Sequence, residues 1–432
     1  MRILWLTNIP LPEASLLLGE KPYPFGGWFT SLSRLLSLQD GVDLSVTFPS
    51  ERVNGIAEFR GERITYLPFT PIRDSDGQRI EHNILFDNLL RDKRPDVVHV
   101  FGTEMPHALS MVNTCNHCGV KVVLSIQGLV SVIEKHVLAG LPAWVVYGVT
   151  LRNMIRRDSV IGLKRLYAQR GRMEIEAIKN VSYIIGRTTF DRAWTSQVNP
   201  NATYFHCNEV LRESFYNHCW EIEKCKRHSI LVSQGHYPIK GLHFVLEAMP
   251  LILRRFPDAH LYVAGKDVIK ADSLRDKLLM TYYGKYLKHV VRRYNLEKCV
   301  TFTGILCEED MCKRYLESHV FVSSSTIENE SNSLSEARLL GVPCVASYVG
   351  GVTDRVQHGW DGFTYQHDAP YMLAHYVCEV FADDCTAMRL SSNARARAAQ
   401  DHDRARLTAR MLEVYTSVIR GKASESLMLT NG

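Results

Sequence analysis

Residues 323–351 read SSSTIENESNSLSEARLLGVPCVASYVGG, and the fold of the chain turns on how this stretch is parsed. A β-rich run ends near Ser324, a polar turn follows, and a helical pattern extends from about Asn332 to Leu340. Gly341 stops that helix and Pro343 opens the next strand. A strand-to-helix turn of this kind presents unpaired backbone N–H groups and the positive end of a helix dipole, which suits a diphosphate. Glu328 lies in the turn, and Glu336 stands eight positions later in the first turns of the helix. Glu336 has a second reading, because Ser333-x-x-Glu336 spells a capping box that needs no ligand. Glu328 likewise reads as an ordinary surface carboxylate when taken alone.

The same alternation extends in both directions. Short apolar runs at 2–8, 42–48, 63–69, 97–102, 121–128 and 182–188 are separated by helical patterns, as are runs at 229–234, 260–265, 300–304, 319–324 and 342–347. Continuous apolar strands divided by helices imply parallel sheets covered on both faces. One helix shows its period openly, with Leu242, Val245, Leu246, Met249, Ile252, Leu253 and Phe256 on one stripe. Eleven strands are too many for one comfortable open sheet, so two sheets are expected. The pattern is broken and polar between about Tyr204 and Lys226, which sets domains at 1–205 and 206–400. Residues 401–432 complete an Ala/Arg-rich helix, read as one element over 393–419 and returning to the N-terminal domain, and end in a Ser/Thr/Gly tail.

Composition agrees with a large globular core. Hydrophobic residues are 46% of the 432 positions and charged residues 22%, with a formal charge of +5. That charge is mild and shows no dense basic stripe, which argues against a nucleic-acid partner. Eleven scattered cysteines do not form a disulfide framework, and Cys115-x2-Cys118 lacks a second pair at zinc spacing, so no metal is expected. The start, MRILWLTNIP, reads as a strand rather than a signal peptide, and no run is long enough to span a membrane, so a cytoplasmic protein is expected. Residues 138–173 hold an apolar stretch, LAGLPAWVVYGVTL, then Arg152, Arg156, Arg157, Lys164, Arg165, Arg170 and Arg172. They read as a solvated helical face, or as an amphipathic patch resting peripherally on an anionic inner membrane face.

The stretch 323–351 resembles family four of the retaining glycosyltransferases, through Glu328-x7-Glu336, the Glu336-Ala337 helix, Gly341-Val342-Pro343-Cys344-Val345-Ala346-Ser347 and Gly350-Gly351. The resemblance implies an α/β fold of the GT-B type, two Rossmann-like doubly wound parallel-sheet domains facing across a cleft. It implies metal-independent transfer of a hexosyl group from a nucleotide-sugar donor, uridine before guanosine diphosphate, to a saccharide or lipid-linked saccharide acceptor. No cofactor is implied, and the pathway expected is surface polysaccharide or glycolipid synthesis. By the same resemblance Glu336 holds the ribose hydroxyls, Glu328 contacts the donor sugar, and the amides around Asn332 and Ser333 face the diphosphate. Lys240-Gly241, after a strand and before a helix, resembles the lysine that neutralises the leaving diphosphate.

Two departures from the family pattern are visible. Asn329 and Ser331 stand where glycines are common, and Glu330 where an apolar residue is usual. Gly235 occupies the position of an arginine five residues before the lysine, leaving Lys266 after Val-Ala-Gly as a candidate second cation. In the N-terminal half, Gly27 of Gly26-Gly27 is expected beside the phosphates, while His107 and Gln127 follow strands where α/β sheets bind ligands, on the acceptor side. Gln127 can position a hydroxyl but cannot act as a base. His99, inside a strand, reads as structural. Asp74-Ser75-Asp76 reads as a turn rather than a metal motif. Two other functions fit the same scaffold: a nucleotide-sugar epimerase, and a saccharide- or nucleotide-binding protein without catalysis.

Overall fold

The computed structural model describes residues 1–23, 26–71, 78–138, 140–150, 153, 159–270 and 273–421. Asp74-Ser75-Asp76, Arg152, Arg156, Arg157 and the tail from 422 lie outside the described residues. The chain divides into two compact units. The first comprises Met1–Ser131, Arg170–Val210 and the chain from His402, and the second Val132–Gln169 and Leu211–Asp401. The units are therefore not the contiguous pieces 1–205, 206–400 and 401–432 of the sequence reading, because 132–169 is inserted into the second unit.

The first unit is an eight-stranded sheet in the order β3-β4-β2-β1-β5-β6-β7-β8. Its strands are β1 (Arg2–Leu6), β2 (Asp43–Pro49), β3 (Phe59–Arg60), β4 (Ile64–Phe69), β5 (Val97–Phe101), β6 (Val122–Ser125), β7 (Tyr183–Gly186) and β8 (Thr203–His206). Only β3 runs antiparallel to its neighbour, β4. The second unit is a wholly parallel sheet in the order β11-β10-β9-β12-β13-β14. Its strands are β9 (Lys226–Val232), β10 (His260–Ala264), β11 (Val300–Gly304), β12 (Ser318–Ser323), β13 (Cys344–Ser347) and β14 (Phe363–Tyr365). Helices α1 (Gly27–Ser37) and α6 (Arg404–Arg420) belong to the first unit, and α2 (Ala143–Val146), α3 (Leu242–Arg255), α4 (Tyr282–Arg293) and α5 (Asn332–Leu340) to the second.

All eleven expected runs form strands, and the three unforeseen ones, β3, β8 and β14, are all sheet edges. An edge strand is half solvated and so lacks a continuous apolar run; in β8 only Phe205 is buried. The single helix expected over 393–419 is two, Asp384–Asp401 and α6, with the break at His402 and Asp403. Asp403 caps α6 by accepting from the Arg406 amide, and the buried His402 Nδ1 pairs with the Glu209 carbonyl at 2.8 Å. In the first unit α6 lends Leu407, Met411, Val414, Tyr415 and Val418 to the core around β1 and β5. The Tyr415 hydroxyl accepts from Trp5 Nε1 at 2.9 Å and meets His99 Nδ1 at 2.7 Å, while His99 Nε2 meets Ser125 Oγ at 2.6 Å. Burial pushes His99 down to about 3, so it is a neutral, fully hydrogen-bonded core residue.

Each sheet reverses its order of strand addition once, between β1 and β5 in the first unit and between β9 and β12 in the second. Loops leaving the carboxyl ends of two strands diverge at such a switch point and leave a crevice. In the second unit the α3 stripe fixes the loop after β9, since Leu242, Val245, Leu246, Met249 and Ile252 are all buried against the sheet. Gly241 precedes α3 with φ +69°, and a Cβ there would lie 1.8 Å from the Ser324 carbonyl oxygen. The loop after β9 and the loop after β12 therefore touch backbone to backbone, and only glycine permits it. Gly241→Ala should destabilise the second unit by about 2 kcal/mol or more, combining left-handed strain with the clash. Chemical denaturation reads this directly; an unchanged midpoint would show that the contact can relax at no cost.

Candidate functional site

The β9/β12 switch point gathers most of the residues expected to act. Lys240 ends a short 3-10 turn, Pro238–Lys240, and donates from Nζ to Glu328 Oε2 at 2.8 Å. Ser325 Oγ donates to the same oxygen at 3.1 Å, and Oε1 takes no hydrogen bond among the described residues. Burial disfavours the Lys240 ammonium, but the adjacent Glu328 outweighs it and holds its pKa above the ordinary lysine value. The two loops are stitched at two further points, and the loop after β12 is tied at a third to the loop after β13. Ser324 Oγ donates to the Lys240 carbonyl at 2.8 Å, the Thr326 amide to the Ile239 carbonyl at 2.8 Å, and the Gly351 amide to the Glu328 carbonyl at 3.1 Å. Gly350 adopts φ +49°, and a Cβ there would lie 2.0 Å from the Glu328 carbonyl oxygen, which accounts for the Gly350-Gly351 pair.

At the start of α5 the capping box read from the sequence is absent. The N-cap is Ser331, whose hydroxyl accepts from the Leu334 amide at 3.3 Å, and Ser333 is already inside the helix. Asn332 and Ser333 occupy its first two positions, where helical amides have no partner within the helix. Glu336 is thus released from a capping role, and its carboxylate meets Arg212 instead. Arg212 Nε donates to Oε1 and Nη2 to Oε2, both at 2.6 Å, and the guanidinium lies 4.5 Å from the centre of the Phe215 ring. Burial pushes Glu336 up and Arg212 pulls it back, while Glu336 holds the buried guanidinium above its own ordinary value. The bidentate geometry decides for an ionised pair, since a protonated carboxyl would leave one guanidinium N–H without an acceptor.

Glu330 does not point at a ligand. It is buried against Arg355, with Nε 2.9 Å from Oε1 and Nη2 3.1 Å from Oε2. The apolar position of the family pattern is filled here by a neutralised ion pair.

The missing arginine also has a steric account. A Cβ at Gly235 would lie 2.4 Å from Leu242 Cδ2 and 2.9 Å from Val263 Cγ1, so a side chain there must displace the α3 packing. His236 stands next to it with Nδ1 buried and without a hydrogen-bond partner among the described residues, and its ring centre lies 3.7 Å from that of Tyr237. Burial lowers its pKa first, and the nearby charges of Lys240 and Lys266 lower it further. Lys266, exposed after Gly265, therefore shares a neighbourhood with Lys240 and His236. Neither His236 nor Arg212 was picked out from the sequence. His236 could have been found by its place between Gly235 and Lys240, whereas Arg212 lies in a polar stretch with no motif around it.

The first unit repeats the arrangement at β1/β5 with different chemistry. His107 Nε2 meets Asn8 Oδ1 at 2.8 Å, and Asn8 Nδ2 donates to Glu104 Oε1 at 2.5 Å. His107 is 4% exposed, and burial pushes it down to about 3, so it is a neutral, fixed group rather than one poised to exchange a proton near neutrality. The Gln127 carbonyl accepts from Arg187 Nη2 at 2.8 Å, and Gln127 lines a small cavity with Trp28, Phe101 and Glu209. Gly27 is the first residue of α1, and Gly26 before it supplies the left-handed cap.

Residues 227–383, all within the second unit, match the family described as glycosyl transferases group 1. The putative glycosyltransferase YtcC of Bacillus subtilis (strain 168) is 27% identical over 187 residues, 43% of this chain and 44% of that protein. The matched stretch thus spans less than half the length of that relative. Among solved structures, sucrose-phosphate synthase from Thermosynechococcus elongatus superposes with a TM-score of 0.71 at 15% identity, covering 98% of this chain and 100% of that one. Anabaena HepE in complex with UDP and glucose gives 0.67 at 15% identity, covering 96% and 100%. At that identity the likeness speaks to the fold, which is GT-B, with two Rossmann-like parallel-sheet units.

Removing one member of a buried ion pair leaves an uncompensated charge. Arg355→Met is expected to destabilise the second unit by about 3–5 kcal/mol, and Glu330→Leu/Arg355→Met to recover most of it. Denaturant midpoints of the three proteins check this; an unaffected single variant would show that Glu330 is not held by Arg355.

Proposed function

We propose that this chain is a retaining, metal-independent glycosyltransferase that moves a hexosyl group from a nucleotide-diphosphate sugar to a saccharide acceptor, free or lipid-linked, in surface polysaccharide or glycolipid synthesis. One observation carries the reading: a single switch point holds an ammonium, a half-free carboxylate, a helix N-terminus and a second carboxylate clamped by arginine. A uridine diphosphate donor is supported by the HepE complex with UDP and glucose, with a guanosine diphosphate donor next. No cofactor enters the scheme.

The slow step in such a transfer is loss of the diphosphate as negative charge grows on it. Lys240 carries three N–H donors, so it can keep Glu328 and still reach a phosphate oxygen. The first-turn amides of α5, at Asn332 and Ser333, add fixed positive dipoles, and Lys266 and His236 lie close enough to contribute. Preorganised donors of this kind are each worth roughly 3–4 kcal/mol of barrier. Glu328 Oε1 remains open to accept from donor-sugar hydroxyls. Arg212 keeps Glu336 ionised and oriented, and a carboxylate has about four lone-pair sites, leaving about two for the ribose hydroxyls. Gly27, His107 and Gln127 serve the phosphate and acceptor side as positioning groups. In this reading the acceptor attacks on the face the diphosphate leaves, and the departing phosphate takes the acceptor proton, so no protein nucleophile is required.

Lys240→Met and Glu336→Gln should each lower transfer tenfold or more in protein that keeps the wild-type circular dichroism, with a lowered thermal midpoint because each leaves its ion-pair partner uncompensated. Wild-type rates in both folded variants would remove these two residues from the site. Assays with and without acceptor separate transfer from epimerisation, and donor binding without turnover over a broad acceptor panel would indicate a binding protein.

A further inference from the structure

The inserted segment of the second unit carries a short structure, 143–149, that buries one side and exposes the other. Val145 is fully buried in the core of the unit, whereas Trp144, Tyr147 and Val149 are 48%, 70% and 52% exposed. Gly148 rests on the first residue of α4, since a Cβ there would lie 2.5 Å from Tyr282 Cδ1. Trp144 stands edge-on to Tyr286 at 5.9 Å and to His289 at 6.5 Å. Leu278 and Leu279, 64% and 44% exposed, lie four and three residues before Tyr282, within about 14 Å of it by chain reach alone.

Beside this apolar ledge, α4 offers cations only. Its sequence, YYGKYLKHVVRR, has no acidic residue. Lys285, His289 and Arg292 recur at helical spacing along its exposed side, with Lys288 between them. Among the described residues none of these four has an ion-pair partner; the Lys285 ammonium lies 4.8 Å from the centre of the Tyr282 ring. Two nearby acids are hydrogen-bonded to neutral groups: Asp276 closes a capping box with Ser273, and Glu247 accepts from the Tyr286 hydroxyl at 3.2 Å.

We propose that the 143–149 ledge and the basic side of α4 form a docking surface for an anionic lipid bilayer. Amphipathic rings settle at the headgroup level of a membrane, and juxtaposed lysines and arginines are drawn to its negative surface. Each signal alone gives weak, reversible binding, and the two together hold a protein peripherally. The cations counted here are those of α4; Lys164, farther along the basic run, is already paired with Glu134 at 3.6 Å. None of these residues belongs to the β9/β12 switch point, so the surface stands independently of the catalytic reading.

The test is co-sedimentation of the full chain with vesicles of phosphatidylcholine alone and of phosphatidylcholine with phosphatidylglycerol. Binding to the anionic vesicles only is expected, weakening as salt is raised. Two variants, Trp144→Ala/Tyr147→Ala and Lys285→Glu/Arg292→Glu, should each reduce partitioning by about tenfold or more. Both should keep the wild-type circular dichroism and the wild-type thermal shift with nucleotide, which separates loss of docking from loss of fold or of the donor site. Absence of binding to anionic vesicles, equal binding to neutral ones, or folded variants that bind as wild type would overturn the proposal. So would concentration-dependent dimerisation in sedimentation velocity that the variants abolish, since that would assign the surface to a second copy of the chain.

Discussion

Two strand ends in the second unit lie so close that a backbone carbonyl and a backbone α-carbon leave no room for a methyl group. The Gly241 to Ser324 contact sets the separation of the loops after β9 and β12, and everything at the switch point inherits that spacing. Because the backbones meet, Lys240 is delivered within hydrogen-bonding distance of Glu328, and the Ser324, Thr326 and Gly351 bonds hold the two in place. A second backbone approach, Gly350 against the Glu328 carbonyl, closes the arrangement from the third loop. A site built from interlocked main chain has little freedom to reorganise, and preorganised charge is what stabilises a departing diphosphate.

The cost of this concentration of polar groups is met by pairing. Glu336 is held by Arg212 and Glu330 by Arg355, and Arg338 sits fully buried against Asp361 at 2.8 Å, with Arg397 reaching the same oxygen at 3.1 Å. Such pairs add little net stability, because desolvation consumes most of the attraction. Their value here is directional. Glu336 and Glu330 each match one arginine fork and Asp361 receives two guanidinium groups on one oxygen, so the side chains around α5 have one arrangement rather than several. Glu328 keeps one oxygen without a hydrogen bond among the described residues, and Glu336 keeps lone-pair sites beyond its Arg212 fork.

The two units share a topology but not a chemistry. At β9/β12 the groups are cationic and partly open, while at β1/β5 a neutral histidine, an amide and a buried carboxyl are bonded into a chain. Glu104 in that chain is pushed up, first by its own burial and further by the neighbouring Glu174. This division fits one unit that binds a charged diphosphate and another that orients neutral hydroxyls.

Much of this was legible in the residues themselves. Apolar runs located every interior strand, because a strand buried on both faces must be apolar throughout; Gly341 and Pro343 marked the end of α5, and the α3 stripe is buried as its period requires. The edge strands β3, β8 and β14, the break at His402 and the interleaving of the two units were not, since none leaves a local periodic signal. For the site, the resemblance to a known family picked out Lys240, Glu328 and Glu336, but it could not reveal that Ser331 rather than Ser333 caps α5, that Arg212 clamps Glu336, or that Leu242 and Val263 crowd Gly235. Those facts depend on which groups meet once the chain is packed; Arg212 and Glu336, for one, are 124 residues apart. Local pattern reports the solvent exposure of a segment; only the packed structure decides which buried charge faces which partner.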